Sequence, residues 1–264
     1  MEKEPIATHI PWEIFLSMFE RLDFPDIQNF CLSYTGFSDI CAMPEVKILI
    51  LQKKREYVTE KYKDDFWNAF HTEGYDELYR LIDMGVDPDV PDIRGNSITR
   101  YIANPELNEA FSPKDEDVYY NIWRSQKEIA EYIEYLAKNG ADIDRIFPDE
   151  GDFPGDTLLE IAIGTDNPVL VEKLLDLGAD PNLSVRGTTP LGFFLFIEDD
   201  MTIEQKQIFE LLVRGGANIV EMGMRKRSLR EFIDIEKEDK YGDNEDYWNS
   251  ALQDFQIILE KIQS

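Results

Sequence analysis

The chain has 264 residues, of which 54 are Asp or Glu and 27 are Lys or Arg, giving a formal net charge of −27. Such an excess of negative charge opposes binding to nucleic-acid phosphates and to anionic membrane faces, so the expected partners are proteins, with no nucleic acid and no membrane among them. Hydrophobic residues at 43% and aromatics at 12% suffice for a folded core, and two cysteines are too few for a disulfide scaffold.

The start MEKEPIATHIPWEIF lacks the charged-then-apolar layout of a signal peptide, and no window approaches the roughly 20 apolar residues that span a bilayer. A soluble protein in a reducing, intracellular and cytoplasmic setting is the expectation. Residues 8–43 then read as three short helices. Pro11 can open the first because its missing N–H costs nothing there, and Ile14, Phe15, Met18, Phe19 and Leu22 recur on one broad face. Asp23 and Pro25 start a second helix with Ile27, Phe30, Cys31 and Tyr34, and Phe37, Ile40 and Cys41 mark a third. Both cysteines lie on apolar faces and read as core residues. So small a bundle carries more large apolar side chains than it can hide, so part of its face is expected to meet a partner.

The Ile10-Pro11-x-Glu13-Ile14 opening, the Met18-Phe19 pair, Leu22, Asp26-Ile27, Leu32, Phe37 and Ile40 resemble an F-box. Ser33 departs from that pattern, in which valine is usual. The resemblance implies docking to the Skp-type adaptor of a cullin-RING ubiquitin ligase through Ile10, Pro11, Ile14, Phe15, Phe19, Leu22 and Ile27.

Residues 44–64, with Val46, Ile48, Leu49, Leu51, Tyr57 and Val58, read as a linker helix whose Lys53-Lys54-Arg55 is a solvated face. From residue 65 a phrase recurs: a leucine-type pair, a short spacer, then Gly-Ala/Val-Asp. Its glycines Gly85, Gly140, Gly178 and Gly216 stand 55, 38 and 38 residues apart. A second phrase, at Gly95-Asn96-Ser97, Gly155-Asp156-Thr157 and Gly187-Thr188-Thr189-Pro190-Leu191, opens the following helix. Gly after a helix supplies a left-handed C′ position, and the Asp, Pro and Asn residues beyond it turn the chain out and back as a finger. One such unit cannot cover its own apolar stripe, so several must stack.

The two phrases together resemble the ankyrin repeat, with about four units over 65–224. An insertion near 104–125, carrying Tyr119, Tyr120 and Trp123, accounts for the long first spacing. Residues 225–264, with Trp248, Leu252, Phe255, Ile258, Leu259 and Ile262, read as a terminal cap.

Little in the chain points to chemistry. His9 and His71 are the two histidines, no Gly-rich phosphate loop occurs, and Asp87-Pro88-Asp89-Val90-Pro91-Asp92 lacks the third ligand and closing glutamate of a calcium loop. No cofactor, no metal and no catalytic residue is expected. The fold expected is all-α: a short three-helix F-box-like module followed by an ankyrin-repeat solenoid with short β-hairpin fingers. That combination resembles adaptor proteins of large DNA viruses and of amoeba-associated bacteria, which implies host cytoplasm as the site of action; poxvirus relatives put the F-box-like part at the other end.

The function implied is recruitment of a target protein to the ligase. The target would touch the finger side of the repeats at Asp89, Val90 and Arg94, then Ile146, Phe147, Asp149 and Phe153, then Val185 and Arg186. The alternative is a stand-alone ankyrin binder or decoy that sequesters its partner without a ligase.

Overall fold

The computed structural model describes residues 12–33, 35–72, 75–104, 125–148, 156–194 and 202–219. These residues form eleven helices, and the chain divides after Val90 into two units.

The first unit contains α1 (Trp12–Phe19), α2 (Phe24–Ser33), α3 (Thr35–Cys41), α4 (Pro44–His71) and α5 (Tyr75–Met84). Asp23 starts α2 by accepting the Asp26 amide at 2.9 Å, and Pro44 begins α4 where no N–H is required. Phe19, Ile27, Ile40 and Val46 form the buried centre of the first four helices, ringed by Leu16, Leu22, Phe30, Phe37, Leu49 and Ile50. The Phe30 ring meets Phe19 edge-on at 5.3 Å and stacks on Phe37 at 4.1 Å. Cys31 and Cys41, expected as separate core residues, are instead joined by a disulfide: packing of α2 on α3 sets their Cα atoms 6.0 Å apart, within bridging range.

The expected linker helix over 44–64 and the expected first repeat helix near Phe66 are one continuous helix, α4, because residues 59–71 contain no Gly or Pro to break it. Its two halves use opposite faces. Val46, Leu49 and Ile50 hold the three-helix core, whereas Val58, Phe66 and Ala69 are buried farther along, where α5 packs with its own Leu78, Leu81 and Ile82 buried. The turn after α5 is tied back to α4 by the Asp87 amide, which donates to Thr59 Oγ1 at 2.8 Å.

In the second unit lie α6 (Ile98–Ala103), α7 (Gln126–Lys138), α8 (Leu158–Gly164), α9 (Pro168–Asp176), α10 (Pro190–Phe194) and α11 (Ile203–Arg214). Each pair, α6–α7, α8–α9 and α10–α11, packs on itself. Neighbouring pairs then join like with like: α6 touches α8 and α8 touches α10 in one row, while α7 touches α9 and α9 touches α11 in the other. Ile98, Ile133, Leu158, Ala162, Leu174, Leu191, Ile208 and Leu212 on these helices are buried.

Local chemistry repeats with the pairs. Ser125 with Glu128, Thr157 with Glu160 and Thr202 with Gln205 form capping boxes at the starts of α7, α8 and α11. The second helix of each pair ends in the same closure: the Ala141, Ala179 and Ala217 amides reach back to the Leu136, Leu174 and Leu212 carbonyls. Gly178 (φ +94°) and Gly216 (φ +95°) make this possible, since side chains resist that left-handed conformation. Across the second row, Glu134 of α7 takes hydrogen bonds from Lys138 of its own helix at 2.7 Å and is paired with Lys173 of α9 at 2.9 Å.

The fingers differ from expectation in one respect. Each is closed at its base by backbone bonding, Asp92 N to Asn96 O, Phe147 N to Asp156 O, and Val185 N to Thr188 O, at 2.9, 3.0 and 3.0 Å. Among the described residues they hold no β-hairpin ladder, only the isolated bridge between Val185 and Thr188. The turns at Asp92–Asn96 and Val185–Thr188 are too short to extend one. The insertion near 104–125, with Tyr119, Tyr120 and Trp123, and the cap over 225–264 lie outside the described residues apart from Asn104 and Ser125.

Candidate functional site

Two surfaces carry the residues expected to bind. On the first unit, α1 is fixed by Phe19, and the same helix turns Ile14 and Met18 outward, 49% and 43% exposed and one helical turn apart. Leu32 near the end of α2 is also exposed. Of the expected adaptor-binding residues, Ile14 is therefore surface and Leu22 is half-buried. Phe19 and Ile27 are not surface at all: both lie in the core, packed with Ile40 and Val46 inside a ring that includes Leu16, Leu22, Phe30 and Phe37. Ile10, Pro11 and the Phe15 side chain lie outside the described residues. Ser33, the departure from the F-box pattern, leaves no hole in this core, since its exposed hydroxyl donates to the Asn29 carbonyl one turn back.

On the second unit Arg94, Ile146, Val185 and Arg186 lie in the three successive finger turns. Arg94, Ile146 and Arg186 are exposed, and Val185 is half-buried in its bridge. In the first unit, Asp89 is half-buried with its amide bound to Asp87 Oδ1 at 3.0 Å, and Val90 is buried and offers no surface. Phe147 is also buried: the finger folds it down over α6, where the Arg100 guanidinium carbon lies 5.4 Å from its ring centroid. Asp149 and Phe153 lie outside the described residues.

Around Arg100 is a polar network that sequence reasoning missed. Arg100 is fully buried and donates to the Asn96 side chain and to the Pro148 carbonyl, the latter at 3.0 Å. Tyr101 Oη donates to Asp92 Oδ2 at 2.7 Å, and Asp92 Oδ1 accepts the amides of Arg94 and Asn96 at 2.8 and 2.9 Å. Arg145 donates to the Gly95 carbonyl at 3.1 Å, which joins the second finger to the first. The Asn96–Arg100 spacing of one helical turn was the available signal. By gathering the amides on Asp92 Oδ1, this network also leaves Ile93 at the tip fully exposed beside Arg94.

Glu160 is the strongest electrostatic anomaly on this side. Burial, helped by the nearby Asp156, pushes its carboxyl up to about 7 against hydrogen bonds from Thr157 and the attraction of Arg186. Its bond from the Thr157 amide at 3.0 Å places it in the cap of α8 rather than in an open cleft. Among the described residues, no group of three or more His, Cys, Asp or Glu side chains is arranged to hold a metal ion, and no helix is long and apolar enough to cross a membrane. The finger turns of the second unit thus expose the apolar Ile93 and Ile146 and the cationic Arg94 and Arg186. No protein-family model matches the chain, and no curated protein matches it.

Proposed function

We propose that the chain is a substrate-recruiting adaptor subunit of a cullin-RING ubiquitin ligase. The three-helix segment, read as an F-box, docks a Skp-type adaptor, and the stacked pairs, read as ankyrin-like repeats, hold a target protein on their finger side. The chain makes and breaks no bond itself. Its contribution is effective concentration, keeping the target near the ligase's ubiquitin carrier.

The observation that carries this reading is the outward Ile14–Met18 pair on a helix anchored by Phe19. An apolar pair exposed on a firmly held helix is the form in which a few residues dominate a protein interface. The test is to mix the full chain with a eukaryotic Skp-type adaptor and measure complex mass by size exclusion with light scattering. A one-to-one complex is expected, lost in Ile14→Asp/Met18→Asp while helicity is kept. Two separate peaks at micromolar concentration would sink the ligase reading. The stand-alone binder would then be favoured, and the burial of Phe19 and Ile27 speaks for it, because those residues are unavailable to any adaptor.

A further inference from the structure

The first half of α4 carries a surface that neither the three-helix core nor α5 uses. Ile48 and Leu51 are 67% and 56% exposed, and with Val58 they follow a 3, 7 spacing that puts all three on one side of the helix. Val58 on that side is buried in the half of α4 against which α5 packs. The stripe thus begins as open surface at Ile48 and Leu51 and runs into an interface already formed. The exposed Lys47 and Lys54, seven residues apart, line one edge of it, and the Gln52–Glu56 hydrogen bond at 3.0 Å lines the other.

We infer that this stripe is a docking site for an acidic amphipathic helix of a partner protein, laid along α4 end-on to α5. Charge selects the occupant. Residues 44–56 hold four basic side chains against two acidic ones, Glu45 and Glu56, in a chain whose net charge is −27, and the two lysines Lys47 and Lys54 flank the stripe itself. Leucines seated on Ile48 and Leu51 with carboxylates facing Lys47 and Lys54 therefore satisfy both features of the surface. Continuity points the same way: α5, the helix that covers the other half of α4, is itself of this type, with Leu78, Leu81 and Ile82 buried and Asp76, Glu77 and Asp83 exposed. The site lies on the side of α4 away from Val46 and the three-helix core, so it is separate from the Ile14–Met18 surface and does not rest on the ligase reading.

The test uses the full chain and two stapled helical peptides, each with leucines at i, i+3 and i+7, one flanked by Glu and the other by Lys. Fluorescence anisotropy should show binding of the Glu peptide in the micromolar range. That binding should fall at least about tenfold, equivalent to about 1.4 kcal/mol, in Ile48→Asp/Leu51→Asp and in Lys47→Glu/Lys54→Glu. All four positions are exposed, so circular dichroism should be unchanged. Equal binding of both peptides, absence of binding, or binding indifferent to the substitutions would overturn the proposal. So would self-association of the chain, seen by light scattering and lost in Leu51→Asp, which would make a second copy the occupant.

Discussion

Arg100 and Phe147 are stacked inside the second unit, the guanidinium carbon 5.4 Å from the ring centroid, although 47 residues of sequence separate them. The contact pins the base of the second finger to α6. Phe147→Ala is expected to cost about 3–5 kcal/mol, the range for emptying a buried aromatic site. Arg100→Lys keeps the charge but loses the planar guanidinium beside the Phe147 ring and shortens the reach to Asn96 and Pro148, so it should also destabilise, by about 1–3 kcal/mol. Urea unfolding of both variants checks this, and a Phe147→Ala cost under about 1 kcal/mol would show the finger to be independent of α6.

Acidification from pH 8 to pH 5 should stabilise the second unit through Glu160. Its carboxyl sits near 7 in the folded chain and near the usual 4.5 when unfolded, so between those values the folded state holds more protons. The contribution is present in full below about 4.5 and is lost as pH rises through about 7. Glu134 does not confuse the window: hydrogen bonds from Lys138 and then Lys173 hold it down to about 2, so its contribution fades only in stronger acid. Melting curves at the two pH values should differ less in Glu160→Gln, which keeps a capping oxygen without the titration. An identical pH difference in that variant would remove Glu160 as the cause.

Reducing the Cys31–Cys41 disulfide should destabilise the three-helix segment. The cross-link spans a separation of 10 residues, for which loss of unfolded-chain entropy corresponds to about 2–3 kcal/mol. Thiol labelling of the purified chain under denaturing conditions should find no free thiol before dithiothreitol and two after it, these being the chain's two cysteines. The melting temperature should fall on reduction, and Cys31→Ser/Cys41→Ser should become insensitive to reductant. Two labelled thiols without reductant would mean that the bond does not form in solution.

What could be read from sequence divides along a physical line. The closures at Gly140, Gly178 and Gly216 were legible because a left-handed backbone position leaves few residues to choose from, and the seam residues because helical period marks a stripe. Period alone did not tell which stripe is covered when two adjoin. On α1, Ile14 and Met18 lie beside Leu16 and Phe19, and only tertiary packing chose the latter pair as interior. Arg100 escaped because arginine is rarely buried and one of its acceptors, the Pro148 carbonyl, is 48 residues away. The Cys31–Cys41 bond escaped for a related reason, since nothing in a spacing of 10 residues fixes the distance between two helices.

The turns of neighbouring pairs are joined by a side-chain ladder, and cutting one rung should leave the next intact. Asp144 Oδ1 accepts the Asp180 amide at 3.0 Å, and Asn182 Oδ1 accepts the Asn218 amide at 2.7 Å, so the same bond recurs one pair further along. Asn182 also donates to the Gly216 carbonyl at 3.0 Å. These groups are largely exposed, so each substitution to Ala should cost about 0.5–1.5 kcal/mol, with Asn182→Ala the larger because it loses two bonds. In a stack whose units touch only their neighbours, the effect stays local. Amide hydrogen exchange should therefore accelerate at Asp180 but not at Asn218 in Asp144→Ala, and at Asn218 but not at Asp180 in Asn182→Ala. The double variant should lose the sum of the two stabilities, because the rungs share no atoms. If either single substitution released both amides, the turns would be acting as one cooperative strip, and the rung-by-rung account would fail.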